Sequence, residues 1–532
     1  MNGPPAAAPV RHPLLRGLCA VVVVCAPSLG CGDTQRTGRD ELVVLIEATV
    51  ESLDPRFAAS SYAIKISRLV VAPLLSLDTE DSSPRMELGE KLEQPDERTV
   101  VVTLRRSARF SDGARVTSAD VVATIRDLQA RESLSPYRAA FSRVEEVTAL
   151  DERRVRFRLR APHAPFVSDL DMGILPASLL ARLRGRDRGP AGDMELVGAG
   201  PLRIVKRTAN RIVLAPNPHF YGPRPALGRY VVKTVEDDNS RLLSLVSGGG
   251  DLTQNTVAPL LLPALVRYPR LRVDSGPGLM TSYLGLNTRD PLLRDPRVRR
   301  AIGLAIDRSR IVSSKFRGKA ALASSILPAH HWAHDKELDG LPFDPGESRR
   351  LLDAAGFPAP PGGGPRLSLT YKTSSNRFRV SVARVIARQL EEVGIRVTVR
   401  SYEWGVFFSD LKRGNFQLAS LQMTELAEPD YHFFFFHSSM QTDAHRPDGG
   451  GNRWGYSDPE VDQWLEEGRR VSGRSARLGF YLNVQRRLAR DLPIIPLWHE
   501  ENLVVMRRSL RGLHILPNAR FTPILRVTKS ND

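Results

Sequence analysis

No cysteine follows Cys31 in a chain of 532 residues. That fact narrows the ways such a chain can hold a fold. No disulfide can brace the body and no thiolate cluster can organise a metal there, so stability has to come from buried apolar surface. Hydrophobic residues supply 42% of the sequence and charged residues 25%, an ordinary globular balance that can furnish cores. One core does not grow to this length, so two or three domains are expected. A thiol nucleophile in the body is excluded by the same observation.

The three cysteines, Cys19, Cys25 and Cys31, all lie at the front. Arg11 and Arg16 precede an apolar run from Leu18 to Ala26. The run is shorter than the roughly 20 residues that span a bilayer. It has the proportions of a signal-peptide core, which implies export. Pro27-Ser28-Leu29-Gly30-Cys31 then resembles a bacterial lipobox, in which a small residue precedes a cysteine that is acylated and becomes the new N-terminus. Ser28 departs from that pattern, which prefers leucine there. Residues 1–31 are expected to be a signal peptide with a lipobox-like end, Cys31 the lipidation site, and 32–40 a polar linker. Ordinary cleavage that leaves Cys31 an incidental thiol is the alternative.

The net charge of +17 raises the question of a nucleic-acid or anionic-membrane partner. No zinc-finger spacing and no RNA-binding aromatic motif accompanies it. Arg154-Val155-Arg156-Phe157-Arg158-Leu159-Arg160 alternates without a break. It predicts a strand with Val155, Phe157 and Leu159 inward and the arginines in water. The reading is a solvated basic surface with no nucleic-acid partner.

Elsewhere strand and helix signals intermix. Leu42 to Ile46 and Thr99 to Leu104 predict strands. Phe110-Ser111-Asp112-Gly113 predicts a turn. Thr117 caps a following helix, with Asp120 reaching back to the cap and Val121, Ile125 and Leu128 on the buried stripe. Asp344-Pro345-Gly346-Glu347 opens another helix, which stops at Gly356 before a proline- and glycine-rich loop over Pro358 to Pro365. Val382, Ile386, Leu390 and Val393 form one helical stripe, Gly394 ends it, and Ile395 to Val399 alternates as a strand. The mixture predicts an α/β or α+β fold.

Several landmarks come in a recognisable order. Phe110-Ser111-Asp112-Gly113 with Thr117 and Asp120-Val121 resembles the signature of the extracellular solute-binding proteins of the oligopeptide/dipeptide/nickel type, the ligand-capturing components of ABC importers. Ser52-Leu53-Asp54-Pro55 is similar to that family's entry motif. Gly198-Ala199-Gly200-Pro201 resembles its Gly-Thr-Gly-Pro, with Ala199 departing, and Asn217-Pro218-His219-Phe220-Tyr221 its Asn-Pro-x-Tyr. Asp295-Pro296-Arg297-Val298-Arg299-Arg300-Ala301 followed by Ala305-Ile306-Asp307-Arg308 is the best stretch. Tyr402-Glu403-Trp404, Tyr456 to Asp462 and Leu492 to Leu497 also fit. The resemblance runs from Leu42 to about Val527.

It implies a two-lobed, periplasmic-binding-protein-like fold with a hinge and an extra domain in the first lobe. The first lobe would take residues 41–82, 192–283 and 495–532, the extra domain 83–191, and the second lobe 284–494. In peptide-binding members, an acidic side chain ahead of an acid-proline pair takes the ligand's ammonium group. Leu421 to Pro429 is the matching segment and puts Glu425 at that anchor, although Leu421-Gln422 replaces the family's Gly-Trp. A surface acid in a loop is the alternative. Ser60, Ser61 and Tyr62 fall where the family sets loop residues against the ligand backbone, an ordinary loop being the alternative. Trp404 sits on a loop after a strand and lines the cleft or is plain core. Lys372 lies near the cation that dipeptide-binding members offer the ligand carboxylate, offset by one residue.

His330, His331 and His334 follow Pro328, and His432 and His437 flank four phenylalanines. No carboxylate spacing completes either cluster, so no metal and no cofactor are expected and these histidines are read as solvated. Phe433 to Phe436 predicts a buried helical segment, with an apolar pocket as the alternative.

No Gly-x-Ser-x-Gly, His-Glu-x-x-His, P-loop or dinucleotide fingerprint is present, so no catalytic residue is assigned and an enzyme is not expected. A Ser/His/Asp site assembled by the fold has no local signature and stays open. The resemblance implies an exported monomer of the periplasm or cell envelope, tethered to a membrane through a lipid anchor on Cys31. It would capture a peptide or peptide-like solute between its lobes and deliver it to an ABC permease. A different solute (a metal complex, haem or oligosaccharide) or a periplasmic sensor's role stays open at this level.

Overall fold

Two long antiparallel strands, Leu271–Leu286 and Ile494–Arg507, run through the middle of a mixed sheet of 11 strands. This is a computed structural model that describes residues 38–183, 190–265 and 267–530, within one compact unit, Arg36–Asp532. The export segment, Cys31 and most of the expected linker lie outside the described residues.

Towards one end of the sheet, Val504, Val505 and Met506 pair with the strand Leu252–Gln254. That strand leads through Glu41–Ile46 and Arg229–Thr234 to the hairpin of Leu202–Thr208 and Arg211–Pro216. Towards the other end, Thr281 to Leu286 pair with Leu418–Met423, followed by Leu367–Ser374 and Ile395–Tyr402. The two long strands are thus common to both halves of the sheet. Their register slips between Gly276 and Met280, and again between Ser282 and Tyr283, where one half gives way to the other.

Each half closes on its own core. Leu42, Val44, Ile46, Ile66, Leu69 and Met506 pack together in the first. The second is cored on both faces, with Leu284, Leu369, Ile386 and Leu390 on one and Tyr283, Leu421, Phe433 and Trp454 on the other. A third apolar cluster lies under a separate four-stranded antiparallel sheet, ordered Gly89–Asp96, Thr99–Leu104, Arg154–Leu159, Val144–Ala149. There the alternation acts as predicted: Val155, Phe157 and Leu159 are buried, and Arg154, Arg156 and Arg158 are wholly or partly in solvent. Strands and helices alternate through the chain, the mixed α/β class that the patterning predicts.

Local signals explain most element ends. Asp120 accepts from the Thr117 N–H at 2.8 Å and starts the helix Ser118–Gln129. Asp344 accepts from the Glu347 N–H at 2.8 Å and starts Pro345–Ala354. In the Ser52-Leu53-Asp54-Pro55 motif, Asp54 pairs with the fully buried Arg56, which also pairs with Asp127 at 2.5 Å. Gly198 and Gly200 run against the C-terminal end of the helix Ser61–Val70. A Cβ on Gly198 would lie 2.1 Å from the Val70 carbonyl oxygen, and one on Gly200 would lie 2.6 Å from it. The motif's small residues are the condition for that close approach.

The four phenylalanines fall in the helix Tyr431–Phe436, with Phe433 and Phe436 buried and Phe434 exposed. The histidines differ from expectation. His331, His432 and His437 are buried, whereas His330 and His334 lie half-buried in the loop. The His331 Nε2 bonds the Ala427 carbonyl at 3.2 Å and its Nδ1 accepts from the Ala333 N–H at 3.1 Å, while burial pushes its pKa down to about 3. His331 is accommodated in the core because backbone groups of neighbouring segments satisfy both of its ring nitrogens.

Candidate functional site

The strand Leu418–Met423 is the element to begin from. On one side it is fully paired with the long strand Leu271–Leu286. On the other, its ladder with Leu367–Ser374 stops after Leu418 and Ala419. Ser420, Leu421 and Gln422 are left with an unpaired edge among the described residues, and these three line a cavity of about 360 Å³. An unpaired strand edge is a template for another extended chain. A cavity of this size is within the range of small-ligand sites.

The opposite wall comes from the first half of the sheet, through Glu47, directly after the strand Glu41–Ile46, and through the segment Asn255 to Pro259. Trp498 and Glu500 of the second long strand close its base. The polar groups are linked. Ser282 donates to Glu500 at 2.9 Å, Gln422 donates to the same carboxylate, and Arg379 donates to the Gln422 side-chain oxygen at 2.8 Å. Burial pushes the Glu500 carboxyl up, opposed by these hydrogen bonds. The Arg379 guanidinium also lies 5.9 Å from the Trp404 ring and forms no ion pair with any described carboxylate.

Beyond the end of that strand comes Glu425. Its backbone takes the left-handed conformation, φ +53°. Its carboxylate has no hydrogen bond or ion pair among the described residues, yet it acts electrostatically on Lys65, Tyr137, Tyr431 and Arg520. Lys65 is buried, 6% exposed, with its ammonium 5.6 Å from both the Tyr62 and Phe521 rings. Burial lowers its pKa to about 8, against the opposing pull of Glu425 and of the cavity-lining Glu47. Both carboxylates act on the one ammonium, Glu425 more strongly than Glu47.

The expected site residues divide. Ser60 is the N-cap of the helix Ser61–Val70, accepting from the Ala63 N–H at 3.3 Å and donating to Glu51 at 3.1 Å. Ser61 is exposed at the helix start. Tyr62 packs against Phe521, its ring 6.5 Å away, and burial raises its hydroxyl pKa. So Ser60 and Ser61 begin a helix where a loop was expected, and Tyr62 stands beside Lys65. Trp404 likewise is not on a loop: it is the first residue of the helix Trp404–Lys412, capped by Glu403, and is 47% exposed against Phe408 and Arg379. Lys372 is drawn elsewhere. Its ammonium is bonded to Asp410 and to the Asn415 carbonyl, each at 2.6 Å, so it is already neutralised. None of these residues is in the cavity wall itself.

Arg379, Gln422, Glu500, Glu47 and Lys65 carry no motif and were missed from sequence. One signal was available for Lys65: it is a cation at a buried position of the helix Ser61–Val70, among Ala63, Ile66 and Leu69. Among the described residues, no group of three or more His, Cys, Asp or Glu is placed to hold a metal ion. No helix of the described residues is long and apolar enough to cross a membrane.

Comparison with known proteins adds three findings. Residues 83–443 match the model of the bacterial extracellular solute-binding proteins, family 5. The chain is 30% identical over 403 residues to the probable ABC transporter periplasmic-binding protein SapA of Escherichia coli, covering 72% of this chain and 70% of that one. It is 29% identical over 384 residues to di/tripeptide-binding protein 2 of Pseudomonas aeruginosa, covering 70% of each. In three dimensions it superimposes on the oligopeptide-binding protein AppA of Bacillus subtilis, solved with a nonapeptide, with a TM-score of 0.71 at 22% identity, over 93% of this chain and all of that one.

Proposed function

The chain belongs to family 5 of the bacterial extracellular solute-binding proteins, and from that premise we propose that it captures a short peptide in the cavity between the halves of its sheet. The observation that carries this reading is the unpaired edge of Ser420, Leu421 and Gln422, leading towards the unpartnered carboxylate of Glu425. A peptide laid along that edge gains backbone hydrogen bonds whatever its side chains, which is strand addition. Its ammonium group meets Glu425, and a charge-assisted hydrogen bond there is stronger than a neutral one. Its carboxylate meets Arg379, the guanidinium that lines the cavity, in the part first assigned to Lys372.

Gln422, which holds Arg379, is three positions before Glu425. Three residues reach at most about 10 Å, and the left-handed backbone at Glu425, beyond the strand's end at Met423, shortens that span to one suited to a short peptide. Relatives bearing di/tripeptide-binding names agree with that length.

The lobes in this reading are residues 41–82, 192–283 and 495–532 for the first, 83–191 for its extra domain, and 284–494 for the second. The register slips in the two long strands supply the hinge. The loaded protein delivers its peptide to an ABC permease, held near it by an acylated Cys31, and it acts by binding without turnover. Calorimetry tests the reading. A tripeptide with free termini is expected to bind at least about tenfold more tightly than its N-acetylated form; equal affinities would remove the ammonium anchor, and no binding of any peptide would remove the function.

A further inference from the structure

The charge of +17 is distributed in two distinct ways. On the four-stranded sheet the arginines are matched by acids. Arg98 pairs with Glu145 at 2.9 Å, Arg154 with Asp151 at 2.6 Å, Arg156 with Glu146 at 3.7 Å and Arg158 with Asp96 at 3.9 Å. Local and cross-strand matching of this kind leaves little net field.

The second half of the main sheet is different. Four helices, Pro296–Leu304, Arg308–Phe316, Pro345–Ala354 and Arg377–Glu391, cover one of its faces. All four drop apolar residues into the same core: Val298 and Ile302, Ile311 and Phe316, Leu352, then Ile386 and Leu390. Their polar faces therefore point to one side of the molecule. On that side Arg300, Arg310, Arg317, Arg349, Arg377 and Arg384 are exposed, and none of the six is in an ion pair with a described residue. Arg377 and Arg384 are seven apart and share one stripe of their helix. The acids on these helices and at their starts are largely taken. Asp295, Asp307 and Asp344 cap helix N-termini, Glu347 holds Arg350, Asp353 holds Arg366 and Glu391 is near Arg388. The layer thus presents guanidinium groups without a carboxylate partner, Arg349 donating to the Glu392 carbonyl at 3.0 Å.

We propose that this helical layer is a docking surface for anionic phospholipid headgroups. Guanidinium groups bind phosphate through paired N–H donors. A basic surface of this kind gains attraction from each cation near an anionic leaflet, and the gain falls with salt. The choice of partner follows from what else the layer shows. No large apolar side chain is exposed on any of the four helices, whereas protein interfaces are built around buried aromatic or aliphatic anchors. Two aromatics are exposed at its margin, Phe343 before the helix Pro345–Ala354 and Trp404 beside Arg379, and none on the four helices themselves to stack on a base. The family of this chain is one of extracellular proteins, which places its partners outside the cytoplasm.

Vesicle sedimentation tests this on the full chain carrying Cys31→Ser, which has no site for an acyl chain. The vesicles are pure phosphatidylcholine, or phosphatidylcholine with about three parts in ten phosphatidylglycerol. Two triple variants are compared in that background: Arg300→Glu, Arg310→Glu, Arg384→Glu in the helical layer, and Arg154→Glu, Arg156→Glu, Arg158→Glu on the four-stranded sheet. Both change the net charge equally, and unchanged thermal melting shows that both are folded. Binding to the phosphatidylglycerol vesicles is expected to exceed binding to phosphatidylcholine, and the helical-layer variant to lose it by about a hundredfold or more. The sheet variant is expected to keep most of it. Equal binding to the two vesicle types, or equal losses in the two variants, would overturn the proposal.

Discussion

A left-handed backbone at a residue with a Cβ costs on the order of 1–2 kcal/mol, and Glu425 bears it at φ +53°. Such strain persists where the surrounding structure fixes a side chain for use, and here it turns a carboxylate with no hydrogen-bond partner past the end of an unpaired strand edge. Glu425→Gln keeps the shape and removes the charge. Tripeptide affinity is expected to fall by about tenfold to a hundredfold, the value of a hydrogen bond to a charged group, with N-acetylated peptides little changed; calorimetry on both ligands reads it. Lys65 makes the converse point. Its ammonium has a pKa of about 8 in the fold against 10.5 in the open chain. Below pH 8 both states hold the proton and the folded state bears the cost of burying it. Lys65→Met is expected to raise stability at pH 7 by about 1–3 kcal/mol. The gain should shrink as pH rises from 8 towards 10.5, because the folded wild type then sheds the proton that the unfolded chain retains. Urea unfolding at pH 7 and at high pH measures it, and a loss of stability at both contradicts it. Glu425 could be singled out because an acid-proline pair, Glu428-Pro429, follows it. Arg379 was not, since nothing in a first-turn arginine says which wall its helix faces. Lys372 misled because its partner, Asp410, is 38 positions away.

At the scale of elements, the punctuation was read most reliably. The Thr117–Asp120 box and the Asp344 cap form as their spacing predicts. The helix after Tyr402 was hidden because its cap is Glu403, and glutamate is not among the preferred capping residues. The start at Ser61 was hidden by its setting after a turn-rich stretch, although Ser60 is an ordinary cap. Packing between elements was less visible. The Gly-Ala-Gly-Pro segment could be recognised, but its reason lies in the Val70 carbonyl, far away in sequence. Gly200→Ala is expected to lower stability by about 1–3 kcal/mol through overpacking against that backbone. Thermal or urea unfolding checks it; a change below about 0.5 kcal/mol would show that the helix end gives way freely.

The whole molecule depends on pairings no periodicity reveals. Arg272 and Met506 are 234 positions apart and sit opposite each other on the two long strands. Those strands join the halves, and the cavity lies where they change register, so neither half holds the site alone. The order of motifs along the chain, through family resemblance, was what made this architecture legible. The ligand is the property of that assembled cavity, and it is read most directly by releasing what the native protein carries. Mass spectrometry of the small molecules freed on denaturing the freshly isolated protein is expected to show peptides of two or three residues with free amino and carboxyl termini. Release of a sugar, a haem or a metal complex in their place would contradict peptide capture.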